Sequence, residues 1–168
     1  MTQPVLQNEV TDLAPETGLK DKTRVAVAEK LANAVADSYR LLVNTQGLHW
    51  NVEGPLFYSL HKLTEEQYQD LFEAIDDLAE RIRALGLPAP ASTAEFIERS
   101  AVSDMPADSA LKARVEALIE ANEGVAHRLR EGVHLADKLA DVKTAELLTE
   151  RIGVHETNAW MLRATIAS

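Results

Sequence analysis

Residues 57–85 read FYSLHKLTEEQYQDLFEAIDDLAERIRAL. Leu60, Leu63, Leu71, Ile75, Leu78, Ile82 and Leu85 recur at helical period. On a wheel of about 100° per residue with His61 at zero, they fall between about 200° and 320°. His61, Glu65, Asp76 and Glu80 fall on the other side, between zero and about 100°. The stretch therefore predicts one long helix over 57–85. One face belongs in a core, and the other mixes histidine and acids with Tyr58, Phe72 and Ala79. Such a mixture is odd for a solvated surface and suits a subunit contact.

The spacing of the polar residues carries chemistry. His61 and Glu65 are four apart, as are Asp76 and Glu80, so each pair stacks on one face of the helix. His49 precedes them in Leu48-His49-Trp50-Asn51, just before a Gly54-Pro55 turn. Imidazole plus carboxylate is a ligand set for a divalent transition metal such as iron. The rise from His61 to Asp76 is roughly 22 Å, so one chain cannot close both pairs around one ion. Two antiparallel copies of the helix, crossing near Asp70 and Leu71, would bring the first pair of one subunit to the second pair of the other. Singly, each residue has an ordinary use: a cap, an interface histidine, a solvated acid. Their joint register favours a shared metal site.

Outward from this helix, residues 1–20 read as a tail containing Pro4 and Pro15, and 21–168 as one domain. A first helix is expected over 22–49, with Val25, Ala28, Leu31, Val35, Tyr39 and Leu42 on one stripe. Gly86-Leu87-Pro88 ends the second helix, and Ser92-x-x-Glu95 is a capping box for a short helix to Arg99. Pro106 or Asp108 opens a third long helix with Leu111, Val115, Leu118, Val125 and Leu129 inward. A last helix over 142–166 turns in Ala145, Leu148, Ile152, Ala159 and Leu162. Four long amphipathic helices with one longer connection predict an all-α four-helix bundle.

The run LHWNVEGPLFYSLHKLTEEQYQDLFEAIDDLAERIRALG resembles the signature region of the Dps family, the mini-ferritins. The likeness extends over the helical body, from about Lys22 to the C-terminus. His-Trp-Asn, a second histidine twelve residues on, an acid four later, and Asp-x-x-x-Glu with Ala79-Glu80-Arg81 all stand in register. Glu65 departs from the Asp most common there, and its extra methylene moves the carboxylate by about a bond length. The resemblance implies a ferritin-like bundle with the short helix between the second and third long helices. It implies a hollow homo-dodecamer that oxidises ferrous iron, preferably with hydrogen peroxide, and stores ferric mineral. His49, His61, Glu65, Asp76 and Glu80 would be the catalytic and metal-binding set, with two iron ions per inter-subunit site. Trp50 would be an electron donor beside it. Asp137, Asp141, Glu146 and Glu150 would line an iron-entry pore, although acids near a helix N-terminus have the simpler use of stabilising it.

Composition bounds the alternatives. There is no cysteine, which excludes disulfides and thiolate metal sites. No run approaches the roughly 20 apolar residues of a membrane span, and the N-terminus lacks a signal-peptide pattern. A cytoplasmic protein is expected, with nucleoid association as an alternative placement. Many relatives compact DNA through lysine- and arginine-rich tails. Here Lys20, Lys22 and Arg24 are offset by Glu9, Asp12, Glu16 and Asp21, and the net charge is −10, so DNA is a doubtful partner. A non-catalytic metal-binding bundle is the other rival. Glu131-x-x-His134 matches the Glu-x-x-His of di-iron bundles, but it occurs once and reads as a surface pair. His155 reads as a hydrogen-bonded core histidine, and His127 as a surface or interface residue.

Overall fold

The computed structural model describes residues 15–106 and 109–167. Most of the expected tail, including Pro4, Glu9 and Asp12, lies outside the described residues, as does Asp108. The described residues form α1 (Asp21–Asn51), α2 (Phe57–Ala84), α3 (Thr93–Arg99), α4 (Leu111–Lys138) and α5 (Val142–Thr165). The all-α, ferritin-like bundle is the fold observed, with α3 in the crossover between the second and third long helices. No described helix is long and apolar enough to cross a membrane.

The long helices run antiparallel to their neighbours, and polar pairs fix the register. Arg24 near the start of α1 donates to Leu85 O just past the end of α2 (3.0 Å). Asp37 takes Arg128 across α1 and α4 (2.6 Å), and Asp70 takes Arg151 across α2 and α5 (2.6 Å). Between them Leu31, Leu41, Leu48, Leu60, Leu71, Leu78, Ile82, Leu118, Leu148 and Leu162 are fully buried. Each such side chain contributes about 1.5–3 kcal/mol relative to exposure. Gly132 permits one close approach, since a Cβ there would meet Leu148 Cδ1 at 2.7 Å.

The helix ends follow local chemistry. Gly54 (φ 87°) and Gly86 (φ 84°) take left-handed conformations that only glycine adopts without strain, and they close the turns after α1 and α2. The expected capping box forms at α3: Ser92 Oγ accepts from Glu95 N (3.3 Å), and Glu95 Oε2 accepts from Ser92 N (3.1 Å). Two expectations need correction. Tyr39 does not enter the core but stacks on Phe96 of α3 at 4.4 Å, which leaves Leu41 and Leu48 in the buried stripe of α1. The third long helix begins at Leu111 rather than at Pro106. The segment before it is gripped by α1. Asn44 donates to Ser103 O (2.8 Å) and accepts from Met105 N (3.2 Å), while Asp37 accepts from Ala101 N (2.8 Å) and Ser100 Oγ (2.9 Å). Burial raises the Asp37 carboxyl above its usual range, against the pull of the Ala101 N–H and Arg128.

His155 lies in the core as expected, with Nδ1 2.9 Å from Asn122 Oδ1. Burial, reinforced by Arg151, lowers its pKa from 6.5 to about 3, so it is neutral near pH 7. Because Asn122 Oδ1 only accepts, Nδ1 carries the proton.

Candidate metal centre

The end of α1 and the first turns of α2 meet around two imidazoles. His49 is buried, 7% exposed, and His61 is half-buried. Their rings stack with centroids 3.9 Å apart and planes inclined by 16°. Each ring is tied to the other's backbone: His49 Nδ1 lies 2.8 Å from His61 O, and His61 Nδ1 lies 3.0 Å from His49 O. A carbonyl oxygen only accepts, so both Nδ1 atoms carry protons, and in the neutral rings the Nε2 atoms hold the lone pairs. Metal-binding histidines show this arrangement, in which the second nitrogen's hydrogen bond fixes tautomer and ring orientation. The residues present therefore fit a transition-metal ion. The sequence placed His49 at the end of the first helix, and α1 runs two residues further, to Asn51.

Glu65 stands one turn beyond His61. Its carboxylate accepts from Lys62 Nζ (2.7 Å), and that bond, with the Lys62 charge and the two imidazoles, holds it below the usual range. Asp76 and Glu80 lie further along α2, both exposed, on the face that carries His61 and Glu65. They do not reach the histidines. Among the described residues no three His, Asp or Glu side chains of one chain gather as a metal site. Bulky apolar groups are exposed on these two helices: Tyr58 74%, Phe72 71% and Phe57 46% on α2, and Trp50 69% at the end of α1. Exposed aromatic surface of this extent suits a contact with another chain.

Sequence reading missed two neighbours of the imidazoles. Phe57 stacks on His61 at 5.0 Å, and Tyr68 meets His49 at 5.1 Å in edge geometry. Spacing carried the signal, since Phe57 and Tyr68 lie four before and seven after His61 on α2. Trp50, the aromatic adjacent in sequence, points into solvent instead.

Comparison with known proteins decides the family. A profile of the ferritin-like domain matches residues 28–168. The chain is 35% identical over 138 residues to DNA protection during starvation protein 2 of Bacillus anthracis, covering 82% of this chain and 94% of that one. The chain belongs to the Dps family. Two solved Dps structures share its fold. That from Vibrio cholerae O1, described as a member of a broad superfamily of ferritin-like diiron-carboxylate proteins, has a TM-score of 0.85 at 28% identity. It covers 92% of this chain and 98% of that one. Dps from Thermosynechococcus elongatus has a TM-score of 0.84 at 28% identity, covering 88% and 94%.

The acidic residues around the start of α5 divide on this Dps-family chain. Asp137, Glu146 and Glu150 are exposed, and Glu146 pairs with Lys143 (3.0 Å). Asp141 is buried. It caps α5 by accepting from Thr144 N (3.1 Å), and it accepts from Thr144 Oγ1 (2.7 Å) and Arg81 (2.7 Å). Its carboxylate is committed inside the subunit, unlike the other three. Glu131 pairs with Lys30 (3.0 Å), and His127 and His134 are exposed.

Proposed function

We propose that two copies of this chain pair across a two-fold axis to build ferroxidase sites, and that twelve copies close into an iron-storing shell. In each site His49, His61 and Glu65 of one subunit face Asp76 and Glu80 of the other. The observation that carries the reading is the cross-tied imidazole pair, with both Nε2 atoms left without a partner and no complete ligand set gathered among the described residues of one chain. Two ferrous ions per site are the substrate, and ferric mineral is the cargo.

The chemistry follows from the donors. Imidazoles hold the ferrous ions, and carboxylates favour the harder ferric product. Two ferrous ions beside one hydrogen peroxide supply both electrons needed to take it, with two protons, to two waters. No hydroxyl radical leaves the site. Trp50, exposed one residue after His49, stands in this reading as an electron donor that limits radical escape when one ferrous ion is missing. Asp137, Glu146 and Glu150 steer iron into the shell, and the committed Asp141 shapes that opening through the start of α5. A cytoplasmic site of action fits this work.

The relatives' name points to DNA protection. For this chain the reading is protection by removal of iron and peroxide, because a net charge of −10 opposes contact with duplex phosphates. The direct test is a crystal soaked in ferrous salt, measured for anomalous scattering at the iron edge. Two peaks beside His49 and His61, with the partner's Asp76 and Glu80 completing them, are expected. Peaks only elsewhere, or none, would overturn the site.

A further inference from the structure

We infer that Phe57 and Tyr68 are positioning residues that clamp the two imidazoles in their stacked arrangement; the inference rests on the metal reading above. Four rings form one continuous column. Phe57 lies on His61 at 5.0 Å and 26°, His61 on His49 at 3.9 Å and 16°, and Tyr68 meets His49 at 5.1 Å and 74°. Two near-parallel rings cannot share one face of an imidazole, so Phe57 and His49 cover opposite faces of His61. Helix α2 supplies three of the rings at positions 57, 61 and 68, and α1 inserts His49 between the last two.

The clamp answers a mechanical need. A histidine ring torsion is broad and roughly two-fold, so the side chain alone does not fix its ring plane. The bond from each Nδ1 to a backbone carbonyl holds one edge of each ring. Each ring can still rock about that bond, which would swing Nε2 and change the spacing between the two lone pairs. Rings packed against the faces and edges remove that freedom. Core packing does not account for Phe57, which is 46% exposed and stacks on a histidine rather than sinking among the leucines. Tyr68 lines an open cleft of about 310 Å³ together with Leu42, Gln46, Gln69, Phe72 and Glu73. Its ring touches His49 while its surroundings leave room for other side chains.

The experiment is cobalt(II) binding to the assembled full chain, followed by calorimetry, with assembly checked by light scattering. Phe57→Leu and Tyr68→Leu are expected to weaken cobalt binding by about 10–100-fold, the range seen when the support of a metal-binding histidine is lost. Phe57→Tyr and Tyr68→Phe, which keep the rings, are expected to bind as the wild type does. Phe57→Leu changes a half-exposed position, so its result stands even if Tyr68→Leu disturbs packing. Wild-type affinity in Phe57→Leu would overturn the clamp. So would a Tyr68→Phe variant as weak as Tyr68→Leu, which would assign the role to the phenol oxygen. His61→Ala is the control for the underlying reading: cobalt binding unchanged in that variant would remove the metal site itself, and the clamp with it.

Discussion

Ferrous oxidation is expected to fall by about 100-fold or more in Asp76→Ala, Glu80→Ala and His61→Ala assemblies, beyond the range that follows loss of a supporting contact alone. Each variant removes one of the five proposed donors, and among the described residues no other cluster of His, Asp or Glu in the chain offers a complete metal site. The three differ in how cleanly they isolate chemistry from folding. Asp76 and Glu80 are exposed, and exposed positions of this kind usually change stability by no more than about 0.5 kcal/mol. His61 also donates to His49 O, a bond worth about 0.5–1.5 kcal/mol. Its loss removes the ring that stacks on His49 as well as a ligand, although His49 Nδ1 keeps its bond to the backbone carbonyl of residue 61. The check is stopped-flow absorbance of ferric product after mixing with ferrous salt and peroxide, with shell mass monitored. Oxidation at the wild-type rate in Glu80→Ala would contradict the assignment.

The largest effect on stability is expected at Asp141. Asp141→Ala should cost about 1.5–3 kcal/mol through its charge-assisted bond to the partly buried Arg81 alone. Arg81, which bridges α2 to α5, would keep only its bond to Thr144 Oγ1. The α5 N-terminus would lose its cap, itself worth about 0.5–2 kcal/mol. Thermal and urea unfolding of the variant and wild type under matched assembly conditions measure this. Equal stability would mean that the buried contacts of Asp141 are not held in solution. Iron entry is therefore better probed at exposed Glu146 and Glu150, where a loss of uptake is not confounded by a loosened helix.

The sequence made some features legible and hid others for definite reasons. The period of Leu60, Leu71, Leu78 and Ile82 is written into residues 57–85, and those side chains are the buried ones. Gly86 and the Ser92–Glu95 box act within a few residues, so local rules found the ends of α2 and α3. Contacts between distant segments left no periodic trace. Asn44 and Asp37 hold a segment roughly sixty residues away, and Phe96 draws Tyr39 out of the stripe on α1. At the site, spacing showed which residues share a face of α2. It did not show that each imidazole binds the other's carbonyl, because that depends on where α1 ends against α2. Asp141 was legible as an acid near a helix start; its burial against Arg81, sixty residues earlier, was not.

The claim that each site is shared between subunits meets its most direct test in mixed assemblies. Chains carrying His61→Ala and chains carrying Asp76→Ala are each expected to form inactive shells. In a two-fold pair with one chain of each kind, one site collects both lesions and the other collects none. Random co-assembly of equal amounts should therefore restore about one quarter of the wild-type sites, since half the pairs are mixed and half of their sites are intact. The readout is ferrous oxidation by peroxide in shells reassembled from the denatured mixture. Recovery near a quarter of the wild-type amplitude is the result expected here. No recovery from a mixture that assembles fully would contradict it, and would place all the ligands of each site within one chain.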